Sequence, residues 1–292
     1  MRDFGILTPV LSLVPGSHAD WERVAGIEEV RRIAEAADRL GYGYLTCSEH
    51  VAIPTDAMEL PGPRYWDPAA TFGYLSASTT DIRFMTSVLV LPYHHPLDIA
   101  KRYGTLDRIC EGRLVLGVGV GYLEPEFRLL GAPFENRGER TDDAIRALRA
   151  SFGRAEPEYA GTHFSFDGVV VDPCGVQQDV PIWVGGRTQR SLRRAVQLGD
   201  GWCPFAVSPR RAAEWLASAA RTDAWQRRDR PLEVMLGTRR AVDPQGAPDE
   251  AAERVAEVRA AGATTVSLWF VHHSLDHYLE QLEAMVGVVA QR

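Results

Sequence analysis

The segment Pro181-Ile-Trp-Val-Gly185-Gly186-Arg187-Thr188 sets two glycines, a cation and a hydroxyl between an apolar run and an amphipathic one marked by Leu192, Ala195 and Val196. Glycines let backbone amides approach an anion closely. The first turn of a helix adds oriented N–H groups and a favourable dipole. Arg187 contributes charge, and the Thr188 hydroxyl can cap the helix or bind an oxygen. A tight turn with a conventional cap would use the same glycines. The Arg and Thr that follow them favour a phosphate cradle built from Gly185, Gly186, Arg187 and Thr188.

A second group is His50, at the end of Tyr44-Leu-Thr-Cys-Ser-Glu49-His50. Strand alternation puts Leu45 and Cys47 on one side and Thr46, Ser48 and His50 on the other. His50 is thereby aimed inward, where an imidazole can donate to a ligand oxygen or relay a proton near neutral pH. Capping its own loop is the alternative. Glu49 has the opposite parity and reads as structural, paired with a nearby Arg. In Arg113-Leu-Val-Leu-Gly-Val-Gly-Val-Gly121 the same alternation separates Leu114, Leu116, Val118 and Val120 from Val115, Gly117, Gly119 and Gly121. The glycine side faces inward, and its missing side chains leave room for a flat ligand or for a packing bulge.

Other reactive types look bland. His94 and His95 are adjacent, so they face opposite ways on a strand, and no carboxylate accompanies them; a solvated turn is expected rather than a metal pair. His272 and His273 read the same way, although they follow the last strand, where one could touch substrate. Glu124 and Glu126 read as a surface salt-bridge network with Arg137 and Arg140. Cys47, Cys110, Cys174 and Cys203 are widely spaced, which points to reduced thiols rather than zinc or disulfides. No G-x-S-x-G elbow is present.

Eight strand-like runs must position these groups: Phe4–Val10, Tyr44–Ser48, Ile82–Leu89, Arg113–Val118, Pro181–Val184, Gly201–Pro204, Leu232–Leu236 and Thr264–Phe270. Helical stripes lie between them, such as Val30, Ile33, Ala34, Ala37 and Leu40, or Ile99, Ala100, Tyr103 and Leu106 behind Pro96. Strict alternation over 292 residues predicts an α/β fold: a single (β/α)8 TIM barrel occupying 1–292 as one domain. An insertion, His50–Trp66, follows strand two and is a candidate lid. A longer one, Gly153–Asp179, precedes strand five. The net charge of −7 argues against nucleic acid or an anionic membrane as the main partner. No apolar stretch reaches the roughly 20 residues of a membrane span. Met1-Arg2-Asp3-Phe4 carries no signal pattern, so a cytoplasmic location is expected.

Taken in order, several short stretches resemble the luciferase-like superfamily of flavin and deazaflavin oxidoreductases. They are Ser48-Glu49-His50, His95-Pro96-Leu97, Thr105-Leu106-Asp107, Gly112-Arg113-Leu114 and Gly117-Val-Gly-Val-Gly121 with Glu126-Phe127. Arg140-Thr141-Asp142, Pro181-Ile-Trp-Val-Gly-Gly186 and Gly199-Asp200-Gly201-Trp202 complete the set. The resemblance covers residues 4 to 205. It implies a cofactor ring near His50, Ser87, Val88, Leu89 and Gly119, with a non-proline cis peptide at Ser87-Val88. It places the cofactor phosphate on Gly185 to Thr188. Some deazaflavin members carry a Glu proton donor just after the strand-four glycines. Tyr122 stands there in this chain, which leaves His50 and Tyr122 as the catalytic candidates.

The function this implies is hydride transfer between coenzyme F420, a deazaflavin, and a small organic substrate. Arg190, Arg193 and Arg194 are available to an acidic cofactor tail. An FMN-dependent monooxygenase using reduced flavin and O2, with a flavin reductase partner, is the alternative. A non-catalytic flavin-binding protein and a metal-dependent barrel hydrolase rank behind it. A homodimer is implied by the resemblance alone.

Overall fold

The computed structural model describes residues 1–290. Its strands are β1 (Phe4–Ile6), β2 (Tyr44–Cys47), β3 (Arg83–Thr86), β4 (Leu114–Gly119), β5 (Ile182–Gly186), β6 (Gly201–Pro204), β7 (Glu233–Gly237) and β8 (Thr265–Leu268). Each pairs in parallel with the next, and β8 returns to β1, so the sheet closes on itself. The flanking helices are α1 (Ile27–Arg39), α2 (Pro68–Ser76), α3 (Pro96–Ile109), α4 (Arg137–Ser151), α5 (Gln189–Leu198), α6 (Pro209–Ala219), α7 (Pro248–Ala260) and α8 (Leu275–Ala290). The result is the expected (β/α)8 barrel. No helix among the described residues is long and apolar enough to cross a membrane.

Local chemistry sets several boundaries. Strand β1 stops at Ile6 rather than Val10, because Pro9 has no N–H to donate and Val10 turns to φ +74°. Helix α2 has no clear apolar stripe in sequence, whereas α6 carries Ala212, Trp215, Leu216 and Ala219 on one face; both begin with Pro at the first helical position behind a capping side chain. Asp67 accepts from the Ala70 N–H at 2.8 Å, and Ser208 accepts from the Arg211 N–H at 3.3 Å. The third strand breaks at Ser87–Val88, whose peptide bond is cis, and resumes as Leu89–Val90 beside Val118 and Gly119.

Strand alternation divides the core in two. Leu45, Leu116, Val118, Val184, Leu236 and Leu268 pack outward against the helices. Tyr44, Met85, Val115, Trp183, Cys203 and Met235 fill the barrel itself. Burying such large side chains stabilises by roughly 1.5–3 kcal/mol each. This inner plug closes the lower barrel, so ligand space lies only above it, at the C-terminal strand ends.

Both insertions are tied down. The first folds back along the loop after β1, through a Ser12–Tyr65 antiparallel bridge and a Trp66 N–H bond to the Leu11 carbonyl at 3.0 Å. The second carries a two-stranded hairpin, Tyr159–Ala160 with Ser165–Phe166. The buried Asp107 carboxylate of α3 accepts from the backbone N–H groups of Val176 and Gln177, each at 2.9 Å.

Candidate functional site

His50 emerges from β2 at the barrel mouth, its side chain 9% exposed. Its Nδ1 stands 2.6 Å from Glu126 Oε2. Glu126 lies in a one-turn helix, Glu124–Leu129, just beyond the glycines of β4, and is completely buried. Its Oε1 accepts from the Val51 N–H at 2.7 Å and the Ala52 N–H at 3.1 Å, and Oε2 also accepts from the Tyr93 hydroxyl at 2.9 Å. Burial alone would raise the carboxyl's pKa. The bonds and charge from His50, with the Ala52 N–H and the Tyr93 hydroxyl, outweigh it and hold the pKa below the usual carboxylate range. An ionised carboxylate only accepts, so His50 carries its proton on Nδ1 and presents Nε2 as the free nitrogen.

This overturns the surface reading of Glu126. Only Glu124 behaves that way, pairing with Arg128 at 3.4 Å. The partner proposed for Glu49 is corrected too. Glu49 is buried; its Oε2 accepts from the Val90 N–H at 2.7 Å, and its Oε1 lies 2.8 Å from His94 Nε2, so its partner is a histidine and not an arginine. His94 is therefore packed rather than solvated, while His95 caps α3 through its ring nitrogen at 3.2 Å. Together Glu49 and Ser48 hold the break in β3, with Ser48 Oγ donating to the Ser87 carbonyl at 2.7 Å.

The glycines of β4 prove to serve the protein's own backbone. A methyl built on Gly117 would stand 1.8 Å from the Thr86 carbonyl oxygen, and one on Gly119 would stand 2.6 Å from Val88 Cγ2. Gly185 meets the other Val88 methyl at the same 2.6 Å. The space expected for a flat ligand is thus taken in part by the kinked strand, which Val88 wedges between β4 and β5. Leu89 points outward into the helix-facing core. Only the backbone of that stretch, with Ser87 and Val88, remains on the inward side.

At the end of β5, Gly186 has φ +137°, and a Cβ there would meet Ser191 Cβ at 2.7 Å. A side chain there would therefore collide with the first turn of α5 and displace it. Thr188 is the N-cap of α5, but its hydroxyl makes no capping bond; the Ser191 N–H donates to the Thr188 carbonyl at 3.0 Å, which leaves the hydroxyl and the amides of Gln189 and Arg190 uncommitted. Ser191 Oγ donates to the Thr188 carbonyl at 2.7 Å and accepts from Trp202 Nε1 at 3.1 Å, which fixes the turn from behind. Arg187 is exposed, with its guanidinium carbon 5.9 Å from the Tyr122 ring centre and 5.9 Å from that of Phe205. The set fits an anionic phosphate: free N–H donors, a hydroxyl, a cation and no side chain in the way.

Tyr122 joins the two halves. Its ring centre is 5.9 Å from that of His50, and Tyr65 of the first insertion packs on the other side of His50 at 4.6 Å. Burial, first, and the charge of Glu126 raise the Tyr122 phenol's pKa against the opposing charge of Arg187, so it stays protonated and able to donate. Of the arginines considered for an acidic tail, Arg194 is committed to Asp142 and the Gly138 carbonyl, whereas Arg190 and Arg193 are exposed along α5. No group of three or more His, Cys, Asp or Glu among the described residues is arranged to hold a metal.

Tyr93 and Tyr65 escaped the sequence reading, in which Glu126 reads as a surface group. The signal for Glu126 was its place directly after the glycine strand, but alternation says nothing about a side chain beyond the strand's end.

A family model described as luciferase-like monooxygenase matches residues 3–285. An uncharacterised Mycobacterium bovis protein is 28% identical over 214 residues, covering 69% of this chain and 74% of its own. A Mycobacterium tuberculosis protein provisionally named a coenzyme F420-dependent oxidoreductase is 30% identical over 170 residues, 53% of this chain and 48% of its own. The oxygenase component of a flavin-dependent trigonelline monooxygenase from Acinetobacter baylyi is 27% identical over 185 residues, 62% of this chain and 48% of its own. Two solved structures share the fold. A monooxygenase from Streptomyces bottropensis has TM-score 0.77 at 20% identity, covering 99% of this chain and 98% of its own. The coenzyme F420 dependent tetrahydromethanopterin reductase of Methanopyrus kandleri has TM-score 0.72 at 15% identity, with the same coverage. The chain belongs to the luciferase-like monooxygenase family.

Proposed function

We propose that the protein is an oxidoreductase that transfers hydride between coenzyme F420 and a small organic substrate at the mouth of the barrel. The observation that carries this reading is the His50–Glu126 pair: a buried carboxylate with four donors orients one imidazole beside the ligand space. Gly185, Gly186, Arg187 and Thr188 would hold the phosphate. Ser87, Val88, Gly119 and His50 would border the ring, with the backbone of Leu89 behind them. When bound, the coenzyme supplies the hydride chemistry.

The chain's own residues then orient, shield and move a proton. Glu126 keeps the proton on His50 Nδ1, so Nε2 is free to accept a proton from the substrate or, once protonated, to return one. Tyr122 offers a phenolic donor between His50 and Arg187. Tyr65 and the first insertion screen the imidazole from water. The kinship to a flavin monooxygenase component supports a second reading, an FMN-dependent oxygenase with a separate reductase. Anaerobic mixing of reduced coenzyme F420, protein and a panel of unsaturated carbonyl compounds tests the first. Return of the oxidised coenzyme's visible absorbance supports it. Oxygen consumption with reduced FMN, and no reaction with reduced coenzyme F420, would replace it with the second.

A further inference from the structure

The inward positions at the strand ends differ sharply between the two sides of the mouth. On β2 to β5 they are Ser48, His50, Val88, Gly119, Gly185 and Arg187, small or polar apart from Val88. On β6, β8 and β1 they are large and apolar apart from Ser267, and β7 between them offers only Gly237. Trp202 packs outward and Cys203 inward, so alternation turns Phe205 inward. Val266, Leu268 and Phe270 pack outward, which leaves Ser267, Trp269 and Val271 facing in. Phe4 and Ile6 pack outward, and a Cβ on Gly5 would meet Met235 of the inner plug, which leaves Leu7 facing in.

These side chains are not buried as their type demands. Leu7 is 42% exposed, Phe205 47% and Val271 43%, while Trp269 and Ser267 are half-buried. Three large apolar residues thus stand exposed on the rim of one closed barrel, a wall that an apolar occupant would cover. An exposed cation, Arg187, flanks this wall on its β5 side, its guanidinium carbon 5.9 Å from the Phe205 ring centre.

We infer that this half of the mouth is the substrate subsite and that it takes an uncharged, apolar body against Leu7, Phe205, Trp269 and Val271. The inference rests on the proposed function in one respect, that the cofactor occupies the β2–β5 half. The test uses the intact protein, with the neutral fluorophore N-phenyl-1-naphthylamine as probe and fluorescence titration of coenzyme F420 and FMN as a separate readout. Wild type should bind the probe. Leu7→Asp and Val271→Asp should each weaken it at least tenfold while leaving cofactor affinity within about twofold, because both positions are exposed and tolerate a carboxylate in the fold. No probe binding by wild type, or unchanged probe affinity in both variants, would overturn the assignment. Loss of cofactor binding in the variants would overturn it as well, by giving this wall to the cofactor. A wild type that binds the probe but neither coenzyme would uphold the apolar wall and sink the cofactor reading instead.

Discussion

His50 Nδ1 lies 2.6 Å from Glu126 Oε2, and that carboxylate is the one fixed point from which the imidazole takes its tautomer. Glu126→Gln preserves shape and the acceptor for Val51 and Ala52. It also turns an amide donor toward His50, which drives the ring proton from Nδ1 to Nε2. Turnover is expected to fall on the order of 100-fold, within the range for positioned acid–base groups. His50→Ala in that background should cost little more, since the two act as a unit. The pH dependence of turnover should change with it. Additive losses with an unchanged profile would show that Glu126 serves only the fold.

Val88 against Gly119 yields a packing prediction. Gly119→Ala puts a methyl 2.6 Å from Val88 Cγ2, and overpacking of this kind costs about 1–3 kcal/mol. Val88→Ala should recover much of that loss in the double variant, giving a coupling of about 1 kcal/mol or more in a denaturation cycle. Additive single effects would mean that Val88 does not occupy the space the glycine leaves.

His272 gives the acid limb of stability a named source. It accepts from Trp21 Nε1 at 2.9 Å, and burial, followed by the charges of His277 and His273, lowers its pKa from 6.5 to about 4. Between pH 6.5 and 4 the unfolded chain takes up a proton that the folded protein refuses, so stability falls through that window. His272→Gln can still accept from Trp21 and removes this linkage. The slope of Tm against pH over this window should be shallower in the variant than in wild type. Parallel slopes would assign the acid sensitivity elsewhere.

Most of the barrel was legible because its signal is periodic. Eight apolar runs with outward Leu45, Leu116 and Val184 survive as strands, and alternation alone turned His50 and the β4 glycines inward. One helix was not legible from a stripe: α2 is apolar nearly all round, and only its Asp67-Pro68 cap marks it. The site was half legible. Residues on strands, such as His50 and Gly185, obey a period that can be counted. Glu126 and Tyr93 lie on short turns where one residue's direction depends on the whole loop, so their convergence on His50 appears only in three dimensions. The purpose of Gly119 was hidden for a related reason, since Val88 reaches it only because the third strand breaks at Ser87–Val88.

The central claim, a deazaflavin held by its phosphate at the end of β5, is tested most directly by cofactor titration. Purified wild type and Arg187→Ala would be titrated with coenzyme F420 and with FMN, following fluorescence. Wild type is expected to bind coenzyme F420 more tightly than FMN, and Arg187→Ala to lose about 1.5–3 kcal/mol, roughly a tenfold to hundredfold weakening, for want of a charged hydrogen bond to phosphate. Tight FMN binding with no binding of coenzyme F420, or an Arg187→Ala protein that binds as well as wild type, would contradict the account.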